Sequence, residues 1–186
     1  IPRYATAVDI HTIPGGYHSE LIKDDVLTGA VYDPGVWLYS MGRMGDYNED
    51  IGATLISFLK EKHPGLKPKR ILDMGCGFGK STLPFATRFA EASVTGIDLS
   101  EPCLRLAAVE AAEAQARNVH YRQMDLRETT FADGTFDLVT STMVLHEMPP
   151  EEIERTLAES YRVLAPGGVC IHLDFRASDP YLAFIH

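Results

Sequence analysis

An α/β three-layer sandwich, a mostly parallel sheet with helices on both faces, is what this sequence predicts. Three observations predict it. From Arg70 onward, short apolar runs alternate with longer helical patterns, most runs are bounded by Gly, Asp or Pro, and the first and fourth are apolar almost throughout. Continuous apolar runs belong to strands buried on both faces, and strand–helix alternation builds a parallel sheet flanked by helices. At 186 residues, with 45% hydrophobic and 23% charged side chains, the chain can bury the core of one domain and shows no disordered composition.

The elements follow in order. Residues 1–47 are rich in Gly, Pro and Tyr (IPGGYHSE, YDPGVWLYSMGRMGDY) and lack sustained periodicity, so no regular element is predicted there. NEDIGATLISFLKEKH, 48–63, predicts a helix capped by Asn48, with acids in its first turn. RILDM, 70–74, is the first strand and leads into the loop GCGFGKST. Proline is tolerated only in a helix's first turn, so Pro84 sets the next helix start near Lys80 to Leu83. SVTGID (93–98), VHYRQMD (119–125), FDLVTST (136–142) and GVCIHLDF (168–175) are the remaining strands. EPCLRLAAVEAAEAQARN (101–118) is an Ala- and Glu-rich helix. PPEEIERTLAESYRVLAPGG (149–168) predicts another, with Ile153, Leu157, Tyr161 and Leu164 on one face and Pro166-Gly167 as its stop. The whole divides into a lid or substrate-side segment, 1–69, and a ligand-binding core, 70–186, within one domain.

Charge and cysteine usage narrow the function. A net charge of −9, from 26 acidic and 17 basic side chains, repels a phosphate backbone, so nucleic acid is disfavoured and a small molecule or neutral acceptor is expected. Cys76, Cys103 and Cys170 form no CxxC pair, which argues against a zinc or disulfide framework and fits a reducing, cytoplasmic setting. No run reaches the roughly 18 apolar residues of a membrane span, and neither HExxH spacing nor a Ser/His/Asp order worth defending occurs.

ILDMGCGFGKST, 71–82, resembles three nucleotide signatures, and spacing separates them. A P-loop ending in Gly79-Lys80-Ser81 requires glycine at 74, where Met74 stands. G-x-G-x-x-G starting at Gly75 requires glycine at 80, where Lys80 stands. D-x-G-x-G-x-G fits without mismatch as Asp73, Gly75, Gly77 and Gly79. Together with VTGIDLS, YRQMDLRE, FDLVTSTMVLHEMP and LAPGG in that order, the stretch from Arg70 to Phe175 resembles the class I S-adenosylmethionine-dependent methyltransferases.

That resemblance implies a Rossmann-like core and S-adenosylmethionine as cofactor. It implies that Asp73 orients the cofactor's amino group, with capping of the turn below as the alternative, that Gly75, Cys76, Gly77 and Gly79 form the loop beneath it, and that Asp98 binds the ribose hydroxyls. Leu99 would lie against the adenine, and Asp125 would accept from the adenine amino group with Met124 and Leu126 nearby. Ser141 of the fourth strand and Arg43, facing the methionine carboxylate, complete the set. Tyr32, Trp37, Tyr39, Met41, Arg43 and Tyr47 would form a movable aromatic lid. His146, and Glu147 beside it, stand at the carboxyl edge of the sheet; His146 is the candidate general base, with a bland packing role as its alternative. Methyl transfer from a sulfonium is an in-line displacement that needs a base only where the acceptor carries a tightly held proton. An NAD-type oxidoreductase and a non-catalytic binding subunit stay open as alternatives. The family's sheet has seven strands against five here, so the chain is expected to continue beyond His186. Its fifth strand would otherwise be an open edge, which a homodimer or other cover would relieve.

Overall fold

The computed structural model describes residues 2–7, 16–45, 48 and 50–175. Tyr47 and the segment SDPYLAFIH lie outside these residues, as does the side chain of Tyr39.

Five parallel strands form one sheet in the order β3-β2-β1-β4-β5. β1 (Arg70–Met74), β2 (Ser93–Asp98) and β4 (Phe136–Thr142) have the expected bounds. β3 (Val119–Gln123) stops short of Asp125. β5 (Leu164–Leu173) starts earlier than expected, because Leu164 already pairs with Phe136 before a bulge brings Val169 opposite Leu138. LAPGG is therefore a kink inside the edge strand rather than a turn ahead of it. Winding runs outward in both directions from β1, so the crevice between the carboxyl ends of β1 and β4 is the switch point at which open α/β sheets take ligands.

Alternate strand residues face opposite helical layers. Ile71, Val94 and Leu138 pack with Leu55, Ile56 and Leu59 of α3 (Asp50–Lys62) and with Phe85 and Ala86 of α4 (Thr82–Arg88). Leu72, Met74, Ile97 and Val139 pack on the other face with Val163 of α6 (Pro150–Val163). Each such fully buried side chain contributes roughly 1.5–3 kcal/mol. Ser81 precedes α4, so Pro84 falls in the first turn, as its lack of an N–H demands. α5 (Glu101–Glu113) is capped by Ser100, whose hydroxyl accepts from the Cys103 amide. It ends earlier than expected, with Gln115 left-handed and the amides of Gln115 and Ala116 returning to Ala112 and Ala111.

Three sequence expectations are corrected. A helix, α2 (Leu27–Tyr39), occupies the segment where none was expected. It survives an internal Pro34 because it packs on α5, where Gly29 lies tight against Leu106 and Cys103. Asn48 does not cap α3: it is left-handed, and its amide donates to the carbonyl and carboxylate of Asp33. The buried face of α6 is Thr156, Glu159, Ser160 and Val163, while Leu157 is 40% and Tyr161 80% exposed. Polar residues fill that face because each is paired. Ser160 donates to the Thr156 carbonyl, and Glu159 receives the Thr129 amide and hydroxyl and the Arg162 guanidinium.

Gly75 and Gly77 are both left-handed, at φ 76° and 50°, but only Gly75 is confined: a Cβ there would lie 2.6 Å from Val144. Gly75→Ala is expected to cost about 2–3 kcal/mol and lower the thermal midpoint by roughly 5–10 °C. Gly77→Ala meets open space and should cost about 1 kcal/mol. Equal midpoints for the two variants would refute the close approach at Gly75.

Candidate functional site

One cavity of about 480 Å³ opens at the carboxyl ends of β1, β2 and β4. It is bounded by the glycine loop, by the turns after β2 and β4, and by the N-terminal segment above. Gly75, Cys76, Gly77, Asp98, Leu99, Leu126 and His146 line it, so seven of the thirteen residues singled out from the sequence meet in one place. Asp73, Gly79, Met124, Asp125, Ser141 and Arg43 are not among its lining residues.

Asp98 is held from two sides: one oxygen accepts the Gly77 amide and the other the Ser100 amide, both at 2.9 Å. Burial pushes its carboxyl above the usual carboxylate range, against those two bonds, and the nearby Glu147 charge pushes the same way. Cys76 is buried, and burial with the charges of Asp98 and Asp73 drives its thiol well up, so it fills space rather than reacting.

The residues outside the cavity have other partners. Asp73 lies beneath the loop, fully buried, accepting from the hydroxyls of Ser81, Thr82 and Thr140 at 2.8, 2.6 and 3.1 Å. It joins β1 to the start of α4 and to β4, as the turn-capping alternative to a ligand contact would have it. Gly79 makes room for Tyr121, whose hydroxyl would sit 2.6 Å from a Cβ. Met124 packs in the core with Leu126. Asp125 is clamped by the Arg127 guanidinium and backbone amide, with the Tyr4 hydroxyl at 3.4 Å and the Tyr4 ring over Arg127. Ser141 is buried against the Nδ1 of His172 at 2.6 Å. Arg43 is exposed, as are Trp37 and Met41, so among the described side chains of the expected aromatic lid Tyr32 alone lines the cavity. Lys80, the residue that breaks the dinucleotide pattern, sends its ammonium between Asp33 and Glu110, at 3.2 and 2.9 Å.

After β4, Met143 is left-handed at φ 53°, a strained conformation beside the cavity. The turn that follows carries His146, whose Nδ1 is 2.7 Å from Asp174. Asp174 also accepts the amides of Leu145 and His146. Burial raises the Asp174 carboxyl, but His146 and the backbone amides lower it further, so it stays below the usual carboxylate range and remains charged at neutral pH. Sequence reasoning missed Asp174, which sits just past β5 and meets His146 only through the β4–β5 pairing.

It also missed Tyr17. The 3₁₀ turn Gly16–His18 lies over the cavity, and there Tyr17 donates to Glu147 at 2.9 Å while its carbonyl accepts from Ser100. Its ring packs edge-on against Tyr32, and Tyr32 against Phe78. No periodicity marks Tyr17; only the tertiary contact does.

A family model described as a methyltransferase domain matches residues 71–168. Among curated proteins, the chain is similar to a demethylmenaquinone methyltransferase of Thermus thermophilus, at 39% identity over 108 residues, 58% of this chain and 48% of that one. It is also similar to a trans-aconitate 2-methyltransferase of Deinococcus radiodurans, at 36% identity over 100 residues, 54% of this chain and 35% of that one. The chain thus spans less than half the length of either relative. Among solved structures, the [4+2]-cyclase SpnF superposes with a TM-score of 0.60 at 26% identity, covering 82% of this chain and 61% of that one.

Proposed function

The chain belongs to the methyltransferase-domain family, whose model spans more than half of it, and from that premise we propose that it transfers a methyl group from S-adenosylmethionine to a small organic acceptor. The observation that carries this reading is the anchored Asp98 carboxylate in a cavity floored by the open Gly77. A side chain at Gly77 would enter that space, as expected where a ligand approaches backbone.

Asp98 would accept from the two ribose hydroxyls, and the Gly75–Gly77 backbone would pass beneath the amino-acid part. Leu99 and Leu126 would wall the adenine. Bound S-adenosylmethionine supplies a methyl group already activated by the sulfonium. What remains for the protein is to place an acceptor in line, exclude water and remove the acceptor's proton. Tyr17 and Tyr32 roof the cavity. Asp174 holds the Nδ1–H of His146, so Nε2 would receive the proton from an acceptor hydroxyl, and Asp174 would stabilise the imidazolium formed. Lys80, neutralised by two carboxylates, offers nothing to a pyrophosphate, which speaks against the oxidoreductase alternative.

Calorimetry with S-adenosylmethionine, S-adenosylhomocysteine and NAD tests the reading. The first two are expected to bind with Kd in the range of about 1–100 µM and NAD at least a hundredfold more weakly, a gap of about 2.7 kcal/mol. Preferential NAD binding would overturn it. Donor binding without labelled product across a broad acceptor panel would reduce the protein to a binding module.

A further inference from the structure

Resting on that reading, we infer that Arg127 sets the base specificity of the donor site: it engages the acid expected to read the 6-amino group of adenine, so that a nucleoside with a 6-oxo purine is held comparably well. The geometry around Asp125 carries this. Arg127 Nε lies 3.0 and 3.1 Å from the two carboxylate oxygens of Asp125, and Nη2 donates to Oδ2 at 2.7 Å. The Arg127 backbone amide donates to Oδ1 at 2.9 Å, and the Tyr4 hydroxyl stands 3.4 Å from the same oxygen. Paired bonds from a guanidinium to a carboxylate are among the strongest side-chain contacts, and they fix direction as well as distance. Arg127 is itself held: Nη1 lies 2.8 Å from Glu152, the guanidinium carbon sits 4.2 Å from the Tyr4 ring centroid, and its side chain is 15% exposed. The clamp is a packed cluster rather than a loose surface pair.

Leu126, the residue between the clamped pair, lines the cavity with Leu99, Ala5 and Tyr4, whereas Asp125 and Arg127, both described, are not among its lining residues. Apolar contact is non-directional, so walls of this kind hold a purine by its faces whatever its 6-substituent. A site built to hydrogen-bond a ligand group discriminates because its own polar atoms are left unpaired when that group is missing. Here the Asp125 carboxylate stays paired with Arg127 whichever base is present. A 6-oxo group is not repelled either, because the guanidinium neutralises the carboxylate beside it. Without Arg127 both arguments reverse: Asp125 becomes free to accept from an amino group and to oppose a carbonyl oxygen.

The test titrates S-adenosylhomocysteine and S-inosylhomocysteine, which differ only at the purine 6-position, into the protein by calorimetry. The unmodified protein is expected to bind the two within about threefold of each other. Arg127→Ala is expected to raise the preference for the adenosyl ligand to roughly tenfold or more, and retained S-adenosylhomocysteine affinity in the variant reports an intact site. Arg127→Lys keeps a cation but cannot bridge both oxygens. It is expected to raise the preference about threefold and stands in should Arg127→Ala not fold. A larger preference for the adenosyl ligand in the unmodified protein overturns the inference, as does a ratio that neither variant moves. Loss of S-adenosylhomocysteine binding in Arg127→Lys overturns it too, since the arginine would then support the fold rather than set specificity. Absence of S-adenosylhomocysteine binding by the unmodified protein would instead overturn the methyltransferase reading and this inference with it.

Discussion

Replacing Asp98 with alanine is expected to weaken S-adenosylmethionine binding at least a hundredfold, about 2.7 kcal/mol. Two losses coincide. The ribose loses its acceptor, and the amides of Gly77 and Ser100 lose the carboxylate that ties the loop to the start of α5. Stability should not follow affinity. Burial raises the folded-state value of Asp98, so the charged form is penalised in the fold. Its favourable contribution is present below the ordinary carboxylate range and is lost as pH rises through the raised folded value. Asp98→Asn removes that penalty at neutral pH and should leave the thermal midpoint of the ligand-free protein nearly unchanged while binding falls. Calorimetry beside thermal melts decides the point. Full affinity in Asp98→Ala would remove Asp98 from the site.

His146→Ala is expected to lower kcat by roughly 10²–10⁴-fold, the range of a positioned general base, with donor affinity altered less than twofold. Added imidazole should restore part of the rate, which a purely structural role would not allow. Asp174→Ala should cost less, about tenfold, because it removes the group that orients the ring but leaves the ring itself. Unchanged turnover in His146→Ala would assign the histidine to packing against Phe175, its edge-on neighbour.

The sheet was legible because β1 and β4 are near-continuous apolar runs and β2 a short run ending at Asp98, each with sharp boundaries, and local chemistry determines such elements. The ends of α5 and β5 were less so. Gln115 adopts a left-handed cap without being glycine, and a bulge absorbs Pro166-Gly167 within the strand. α2 was hidden by Gly29, Pro34 and Gly35, residues that oppose a helix unless a partner repays them. Along the cavity wall, the glycine loop and Asp98 were legible from spacing and His146 from its place after the fourth strand, and all of them line the cavity except Gly79. Spacing could not show the partners of Asp73, because the converging hydroxyls of Ser81, Thr82 and Thr140 come from separate elements. Asp174 and Tyr17 escaped for the same reason: each acquires its meaning from a residue more than twenty-five positions away.

The carboxylate of Asp73, with every bond directed at its neighbours, has a consequence for the thermodynamics of ligand uptake. A frame stitched together in advance leaves little ordering to be done when a nucleoside arrives, so the entropic toll falls on the covering segment alone. Cutting the stitches, as in Thr140→Val, should therefore slow no chemical step yet make uptake more exothermic and less favourable in entropy, the signature of a floor that sets only around its guest.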